Sequence, residues 1–454
     1  MKKLLALLLA LVMVLSLAAC GEEVDEGTSR RRRKASSNDE ETTETVSETE
    51  EENKDTEEVT EEEVSEETEP AQEQEEETST QWLSAYTVFE EGNATIIDDG
   101  GLTVTFGEPE EGDYWVELPV EMKNTTGGEI TVMSVGEALN GKCDFLYLSG
   151  TVEAGKTIEE TVDFYDISDP EDVTRVSMLI RATDENLDSK DYLIDYYPWG
   201  MDAYKNTMPK AKGKDVLVDE DGVFAAIEGY KEGRDAFSFD YLMINNSDET
   251  VHIGMDPVAL NGFGIISYLS DYVLPGTYVQ ETATIDEFDY MAMLGLDEVT
   301  SLTLDVGVED TQYKSLFKET VTVYPGGKKN DDVFVYTPDN SDLVLVDTDA
   351  LKVTVVEVME EDTSTILLFV VENKTDDFAN FEATDIKING KDMESGWIYC
   401  SAYDGRDTFD AFTIYGFQKQ EMGITDVTSV EMLVTITNDN FKTVYEDTVA
   451  FTIY

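Results

Sequence analysis

The chain repeats itself three times, and that periodicity limits what it can fold into more than any single motif does. One copy carries Asp98-Asp99-Gly100-Gly101-Leu102, the next Asp219-Glu220-Asp221-Gly222-Val223, and the third Asp347-Thr348-Asp349-Ala350-Leu351. In each copy 26 residues lead from the first Asp to an asparagine: Asn124, Asn245 or Asn373. A further 16 lead to Asn140-Gly141, Asn261-Gly262 or Asn389-Gly390, so 42 residues align without a gap. A looser stretch follows through Ala154-Gly155-Lys156-Thr157, Pro275-Gly276-Thr277 and Asp404-Gly405-Arg406. A closing block ends each copy: Asp172-Val173-Thr174, Glu298-Val299-Thr300-Ser301-Leu302 and Asp426-Val427-Thr428-Ser429-Val430. The period is about 121 and then 128 residues. That is the size of a domain, not of a solenoid unit, so the chain reads as tandem domains.

Within a repeat the pattern is that of strands. Val430, Met432, Val434 and Ile436 alternate with Glu431, Leu433, Thr435 and Thr437, and Val449, Phe451 and Ile453 keep the same period of two. The Asn-Gly dipeptides and Asp/Asn clusters fall between such runs, where turns need residues that tolerate positive φ. Gly295 and Gly423 each follow a short apolar stretch, which predicts one helical turn capped by glycine. Seven or eight short strands in about 115 residues predict a two-sheet sandwich. The fold class expected is therefore all-β, three tandem β-sandwiches over residues 81–205, 206–327 and 328–454. Their Asn-Thr and Asn-Gly blocks, Gly-Thr or Gly-Lys turn and closing Val-Thr strand resemble the immunoglobulin-like domains of lipoproteins from Gram-positive, Clostridia-like gut-type bacteria. No activity is established for that family, so the resemblance implies fold and location only. The links Met208-Pro209-Lys210-Ala211-Lys212-Gly213 and Pro325-Gly326-Gly327-Lys328-Lys329-Asn330 read as exposed hinges.

The N-terminus has the layout of an export signal: Met1, Lys2 and Lys3, then an apolar run from Leu4 to Leu15. That run is well under the ~20 residues a spanning helix needs. It ends in Leu17-Ala18-Ala19-Cys20, which resembles the lipobox of bacterial lipoproteins at all four positions. The resemblance implies a signal peptide of residues 1–19, cleavage before Cys20, and a diacylglyceryl group on the Cys20 thiol with further acylation (palmitate-type chains). Each buried methylene adds about 0.8 kcal/mol, and two chains give an anchoring that one does not. Residues 20–80 are a Glu/Thr/Ser-rich tract with too few apolar side chains to offset the entropy of ordering, and read as a disordered acidic tether. Within it, Arg30-Arg31-Arg32-Arg33-Lys34 is either a clamp for anionic lipid head groups or else linker drift or an accidental protease site.

The net charge is −69; Gly21 to Thr80 holds 25 acidic and 6 basic residues, a net of −19, and residues 81–454 keep −52. Such a surface repels phosphate backbones and argues against a nucleic-acid partner. With Cys20 assigned to lipid, Cys143 and Cys400 remain, at non-equivalent repeat positions, and are expected as free thiols rather than one inter-domain bridge. The single histidine, His252, stands in a strand of one copy and is expected to be an ordinary packed or surface residue. With it alone, Ser-His-Asp and Cys-His catalysis and zinc sites find no support, and no phosphate loop follows a strand. No catalytic residue, cofactor-binding residue, cofactor or metal ligand is assigned.

Two groups of acids are candidate calcium ligands, Asp219 with Glu220 and Asp221, and Asp184 to Asp191 with Glu185 and Asp188. Neither has EF-hand spacing, and both read better as polar turns. Trp115, Trp199 and Trp397, with Tyr192, Tyr196 and Tyr197, could form a binding face. They sit at different repeat positions, which favours core or strand-face packing.

The functional expectation is a lipid-anchored, extracytoplasmic protein that presents three non-catalytic modules for adhesion or for binding a protein or glycan ligand. The alternative is a passive stalk or envelope-assembly lipoprotein. The anchor is testable first: Cys20→Ala should leave the protein uncleaved or release it to the medium, and a variant that still sediments with alkali-washed membranes would show that lipid on Cys20 is not the anchor.

Overall fold

The computed structural model describes residues 83–453 apart from 84, 207, 234–235, 286–287, 331, 362 and 404. The signal peptide, Cys20, the tether and the Arg30–Lys34 cluster lie outside the described residues.

The first repeat contributes β1 (Thr87–Glu90), β2 (Ala94–Asp99), β3 (Leu102–Phe106), β4 (Glu110–Glu111), β5 (Val116–Asn124), β6 (Ile130–Leu139), β7 (Lys142–Cys143), β8 (Ser149–Val152), β9 (Thr157–Phe164), β10 (Val176–Asp184) and β11 (Ser189–Tyr197). The second has β12 (Asp215–Glu220), β13 (Val223–Glu232), β14 (Phe237–Asn245), β15 (Val251–Leu260), β16 (Phe263–Gly264), β17 (Ser270–Val273), β18 (Thr277–Ile285), α1 (Phe288–Met293), β19 (Leu302–Asp310) and β20 (Ser315–Val323). The third has β21 (Leu343–Asp347), β22 (Leu351–Glu360), β23 (Ser364–Asn373), β24 (Ala379–Ile388), β25 (Lys391–Asp392), β26 (Ile398–Ala402), β27 (Thr408–Tyr415), α2 (Gly416–Met422), β28 (Ser429–Asn438) and β29 (Thr443–Thr452).

The all-β class is what the structure shows. In the first repeat β2-β3-β5-β9 make one sheet and β8-β6-β10-β11 the other; β12-β13-β14-β18 with β17-β15-β19-β20, and β21-β22-β23-β27 with β26-β24-β28-β29, repeat the plan. The chain changes sheet after β5, after β8 and again after β9, the Greek-key crossing of an immunoglobulin-like sandwich. Alternation places the core. Val116, Leu118, Val120 and Met122 of β5 point inward, as do Val430, Met432, Val434 and Ile436 of β28, and all are buried. The two helices lie where the glycine signal put them, and Gly423 closes α2 in the left-handed region at φ 61°.

The asparagines that mark the repeat are clasps. Asn124, fully buried, donates to Gly128 O at 2.7 Å and Val152 O at 2.9 Å and accepts from the backbone and hydroxyl of Thr126. Asn245 does the same with Glu249 O and Val273 O, both at 2.8 Å, and Ser247. Asn373 does so with Asp377 O, Ala402 O and Thr375. Each amide ties the sheet-changing turn to the short strand across from it. These sites also spell Asn-x-Ser/Thr, a glycosylation acceptor pattern. Both amide hydrogens are engaged inside the fold, so the pattern here is structural.

The second clasp is made by the Asn-Gly pairs. Asn140 and Gly141, at φ 53° and 88°, form a two-residue turn of the type that needs positive φ at both positions. The Asn140 carbonyl oxygen accepts from Thr174 N, Thr174 Oγ1 and Arg175 N, and its amide donates to Asp172 O. Asn261 holds Glu298, Thr300 and Ser301 in the same way, and Asn389 holds Asp426, Thr428 and Ser429. The closing Val-Thr block is thus the partner of the Asn-Gly block.

A buried hydrogen bond contributes a net ~1 kcal/mol, and an orphaned buried partner costs more, so Asn245→Ala is expected to destabilise by about 3–4 kcal/mol. Asn440→Ala, in an exposed turn, should change stability by under about 0.5 kcal/mol. The first urea unfolding transition compares them, and equal midpoints would remove the clasp account.

Candidate functional site

The sandwiches meet through the Asn-Gly hairpins, and the places where they meet are the candidate sites. At the first joint Tyr278 N donates to Gly141 O at 3.0 Å, and Lys142 and Tyr278 form a parallel bridge that fuses one sheet of the first repeat with one of the second. Gly136 is small for a reason: a Cβ there would lie 3.0 Å from Tyr272 Cβ of the next sandwich. The joint is closed by Arg175, fully buried, whose Nε pairs with Asp195 at 3.0 Å and whose Nη1 donates to Gly276 O of the next repeat at 3.0 Å. Ser177 and Tyr197 also donate to Asp195, and Tyr86 donates to Pro275 O at 2.7 Å. Burial pushes the Asp195 carboxyl up, against the pull of Arg175.

The second joint uses the same two elements in the same parallel register: Gly264 pairs with Thr408, Gly264 N donates to Asp407 O at 2.7 Å, and Thr408 Oγ1 donates to Gly264 O. Aromatic rings replace the ion pair. Phe263, fully buried, lies 5.4 Å from Phe334 and 6.2 Å from Phe409, centroid to centroid. Phe334 and Val333 fold back onto the hairpin, where Phe334 N donates to Asn261 O at 2.7 Å. Lys328 and Lys329 are exposed, as are Lys210 and Lys212, yet the links are not the sole connection between sandwiches. The expectation of simple hinges is corrected by these shared sheets.

Beside the second joint are two adjoining cavities of about 240 and 250 Å³ that share Ile265 and Ile266. The first is walled by Tyr290, Tyr399, Cys400, Phe409, Asp410 and Ala411. The second brings Asp256, Asp305, Tyr268, Tyr403 and Arg406 together. Both fall below the ~300 Å³ at which drug-sized ligand pockets begin, so each suits one side-chain-sized group. Burial lifts the Asp410 carboxyl to about 6 and raises Asp256. At the first joint burial lifts Glu137 to about 7 and Asp271 to about 6.

The structure also aligns aromatic residues that the sequence kept apart. Ile130 faces Val152, Val251 faces Val273 and Ala379 faces Ala402, which fixes the equivalence of β8, β17 and β26. Counting back from those pairs, Tyr147, Tyr268 and Trp397 hold one position in the three sandwiches, and they are 55%, 83% and 55% exposed. Trp397 stacks on Tyr399 at 5.2 Å and donates to Glu382 at 2.9 Å. Trp115 is 42% exposed against Tyr165 and Tyr114. Trp115 and Trp397 thus pack on strand faces, against Tyr165 and Tyr399, and neither is in the core. Tyr196 and Tyr197 are buried, and Trp199 donates to Pro170 O.

Cys143 and Cys400 are free and buried, and burial pushes the Cys143 thiol up to about 12 and Cys400 in the same direction. Both are thus poor nucleophiles. His252 lies against Tyr272, ring to ring at 4.9 Å, with its pKa lowered by burial. Asp184 spends its carboxylate on the backbone N–H groups of Asn186 and Asp188, and Asp191 pairs with Arg181. Asp219, Glu220 and Asp221 lie exposed at the β12–β13 turn. Among the described residues no group of three or more His, Cys, Asp or Glu is disposed to hold a metal ion, and no helix is long and apolar enough to cross a membrane.

No family model matches the chain, and no curated protein does. Among solved structures, it is similar to the crystal structure of red sea bream transglutaminase at 14% identity and a TM-score of 0.16. The likeness covers 51% of this chain and 31% of that one, and at this level it carries no argument about function.

The buried carboxyls give a pH signature. Glu137, Asp271 and Asp410 titrate near 6 to 7 in the fold against about 4 unfolded. The folded chain therefore binds more protons in between, so the stabilisation is full below about pH 4 and is lost as pH rises through 6 to 7. The melting temperature is expected to fall from pH 5 to pH 8, and Glu137→Gln with Asp271→Asn and Asp410→Asn should flatten that slope. A melting temperature that rises with pH over this range would contradict the assignment.

Proposed function

We propose that this chain is a lipid-anchored cell-surface protein whose β-sandwiches bind an extended protein or glycan ligand without catalysis. One observation carries the reading: Tyr147, Tyr268 and Trp397 present an aromatic face at the same place on each of three successive sandwiches. Exposed aromatic rings supply large, rigid contact area, and linked weak sites gain avidity without new contacts. The burial of both described thiols and the packing of His252 support a role without chemistry. In this reading Cys20 holds the lipid, and residues 20–80 carry the sandwiches away from the membrane.

A second reading, a passive stalk or envelope-assembly lipoprotein, is favoured by the joints, since sheets that continue from one sandwich into the next suit a rod. Binding decides between the two. The full chain is screened against wall polymers, matrix proteins and glycans, beside a Tyr147→Ser, Tyr268→Ser, Trp397→Ser variant. Each single change should weaken binding several-fold and the triple change more than about a hundredfold, as lost avidity requires. Silence of the wild-type chain across the panel would favour the stalk, and full binding by the triple variant would sink the aromatic row.

A further inference from the structure

We infer that the cleft beside the second joint receives the ammonium group of a lysine side chain on a partner protein, with Asp410 as its anion. This deepens the binding reading above by naming what one site recognises, and it rests on that reading.

The wall of the first cavity offers one carboxylate among apolar and aromatic neighbours: Ile265, Ile266, Tyr290, Tyr399, Phe409 and Ala411. No lysine or arginine lines it. Asp410 accepts a hydrogen bond from the backbone N–H of Ala411 at 2.8 Å, one of about four that a carboxylate can take. A half-buried carboxylate gains most from an opposite charge that brings its own donors, and an ammonium brings three. The isoleucines suit the methylene stem of lysine, and the tyrosine and phenylalanine rings suit the cation. Cys400 does not compete as an anion, because burial holds it as the thiol.

The adjoining cavity extends the same chemistry outward with Asp256, Asp305, Tyr268 and Tyr403. Arg406 stands at this outer cavity and not in the wall around Asp410. An anionic ligand would meet three carboxylates here. A neutral sugar would want several polar partners, and the inner wall supplies few. The charge of −69 draws basic partners from a distance.

The test titrates the full chain with two capped peptides, acetyl-Gly-Lys-Gly-amide and its norleucine counterpart, which differ by the ammonium alone. Lysine is expected to bind at least about tenfold tighter, as a desolvated cation-π and carboxylate contact predicts. Asp410→Asn should abolish that preference, while Glu159→Gln, exposed in the first sandwich, keeps it. Equal binding of the two peptides, or a preference that survives Asp410→Asn, overturns the proposal. If Asp410→Asn melts early, Ile266→Lys supplies a cation of the chain's own and should abolish the preference; its persistence again overturns the proposal. The wild-type chain and a Tyr147→Ser variant, changed in the first sandwich alone, separate the two readings. Lysine preference in a wild-type chain that binds no polymer leaves this site standing and the aromatic row fallen, and polymer binding that Tyr147→Ser weakens, with no lysine preference, does the opposite.

Discussion

The side-chain amide of Asn140, with its counterparts Asn261 and Asn389, is the contact from which the longer architecture follows. One carbonyl oxygen takes three hydrogen bonds from the strand that closes the repeat, and the amide returns a fourth to the residue that precedes that strand's turn. The hairpin is thereby fixed to the sheet at a stated height and angle. Only a hairpin held so firmly can project its next residues beyond its own sandwich and pair with a strand of the following one. The buried amides of Asn124, Asn245 and Asn373 do the complementary task at the sheet-changing turn, where they hold the short strand that leads into the receiving edge. A repeat written in asparagines is therefore a repeat of joints as much as of domains. The three repeats accordingly fall within one compact unit.

The two joints share that geometry and differ in filling. The first holds Cys143, with its sulfur 3.3 Å from Thr277 Oγ1, and the buried Arg175–Asp195 pair. A buried ion pair is weak support for stability, yet removal of one partner is costly, so this joint is intolerant rather than strong. The second holds Gly264 where the first has Cys143, and stacks phenylalanines where the first has an arginine. With less side chain at that position, space is left beside Ile265 and Ile266, and the cleft opens there.

Much of this was legible in the sequence, and the parts that were not had physical reasons. Period-two alternation in β28 showed its buried face, and Gly423 marked the end of α2, because both signals are local. The Asn-Gly pairs were readable as turns, but their carbonyl partners lie 32 to 40 residues away, and nothing local names them. The equivalence of Tyr147, Tyr268 and Trp397 was hidden by one inserted residue in the third copy and by the change from tyrosine to tryptophan. Three tryptophans at unlike positions suggested packing. Pairing across the sheet was needed to show that one of them belongs to a set whose other members are tyrosines. The cleft was invisible for a further reason: its walls come from two repeats, and Asp410 occupies a position where the first two copies also have acids, Glu160 and Glu281, so nothing local marks it.

The ends of the series carry the same elements without partners from a neighbouring sandwich, and their composition differs accordingly. In the second and third repeats, β18 and β27 receive a hairpin along one edge; in the first, β9 has β5 as its sheet neighbour among the described residues. In the register of the sheet, β18 has Val279-Gln280 and β27 Thr408-Phe409 where β9 has Ile158-Glu159, with Glu159 exposed. The hairpin of the third repeat ends in Lys391-Asp392, both exposed, where the second has the buried Phe263-Gly264. Lys391 turns back on its own sandwich and donates to Gly423 O at 3.1 Å. A hairpin and an edge that fit each other within one chain would also fit between two copies, and such a head-to-tail contact does not close, so it builds fibres. Charge at a bare edge is the usual defence against that outcome. Docking Lys391-Asp392 against Glu159 would strip water from both acids, with one lysine to offset them. The edge position that holds Gln280 or Phe409 at the joints holds Glu159 at the free edge, and the free hairpin carries Asp392 where the joints have Cys143 and Gly264, so two acids help keep one geometry intramolecular.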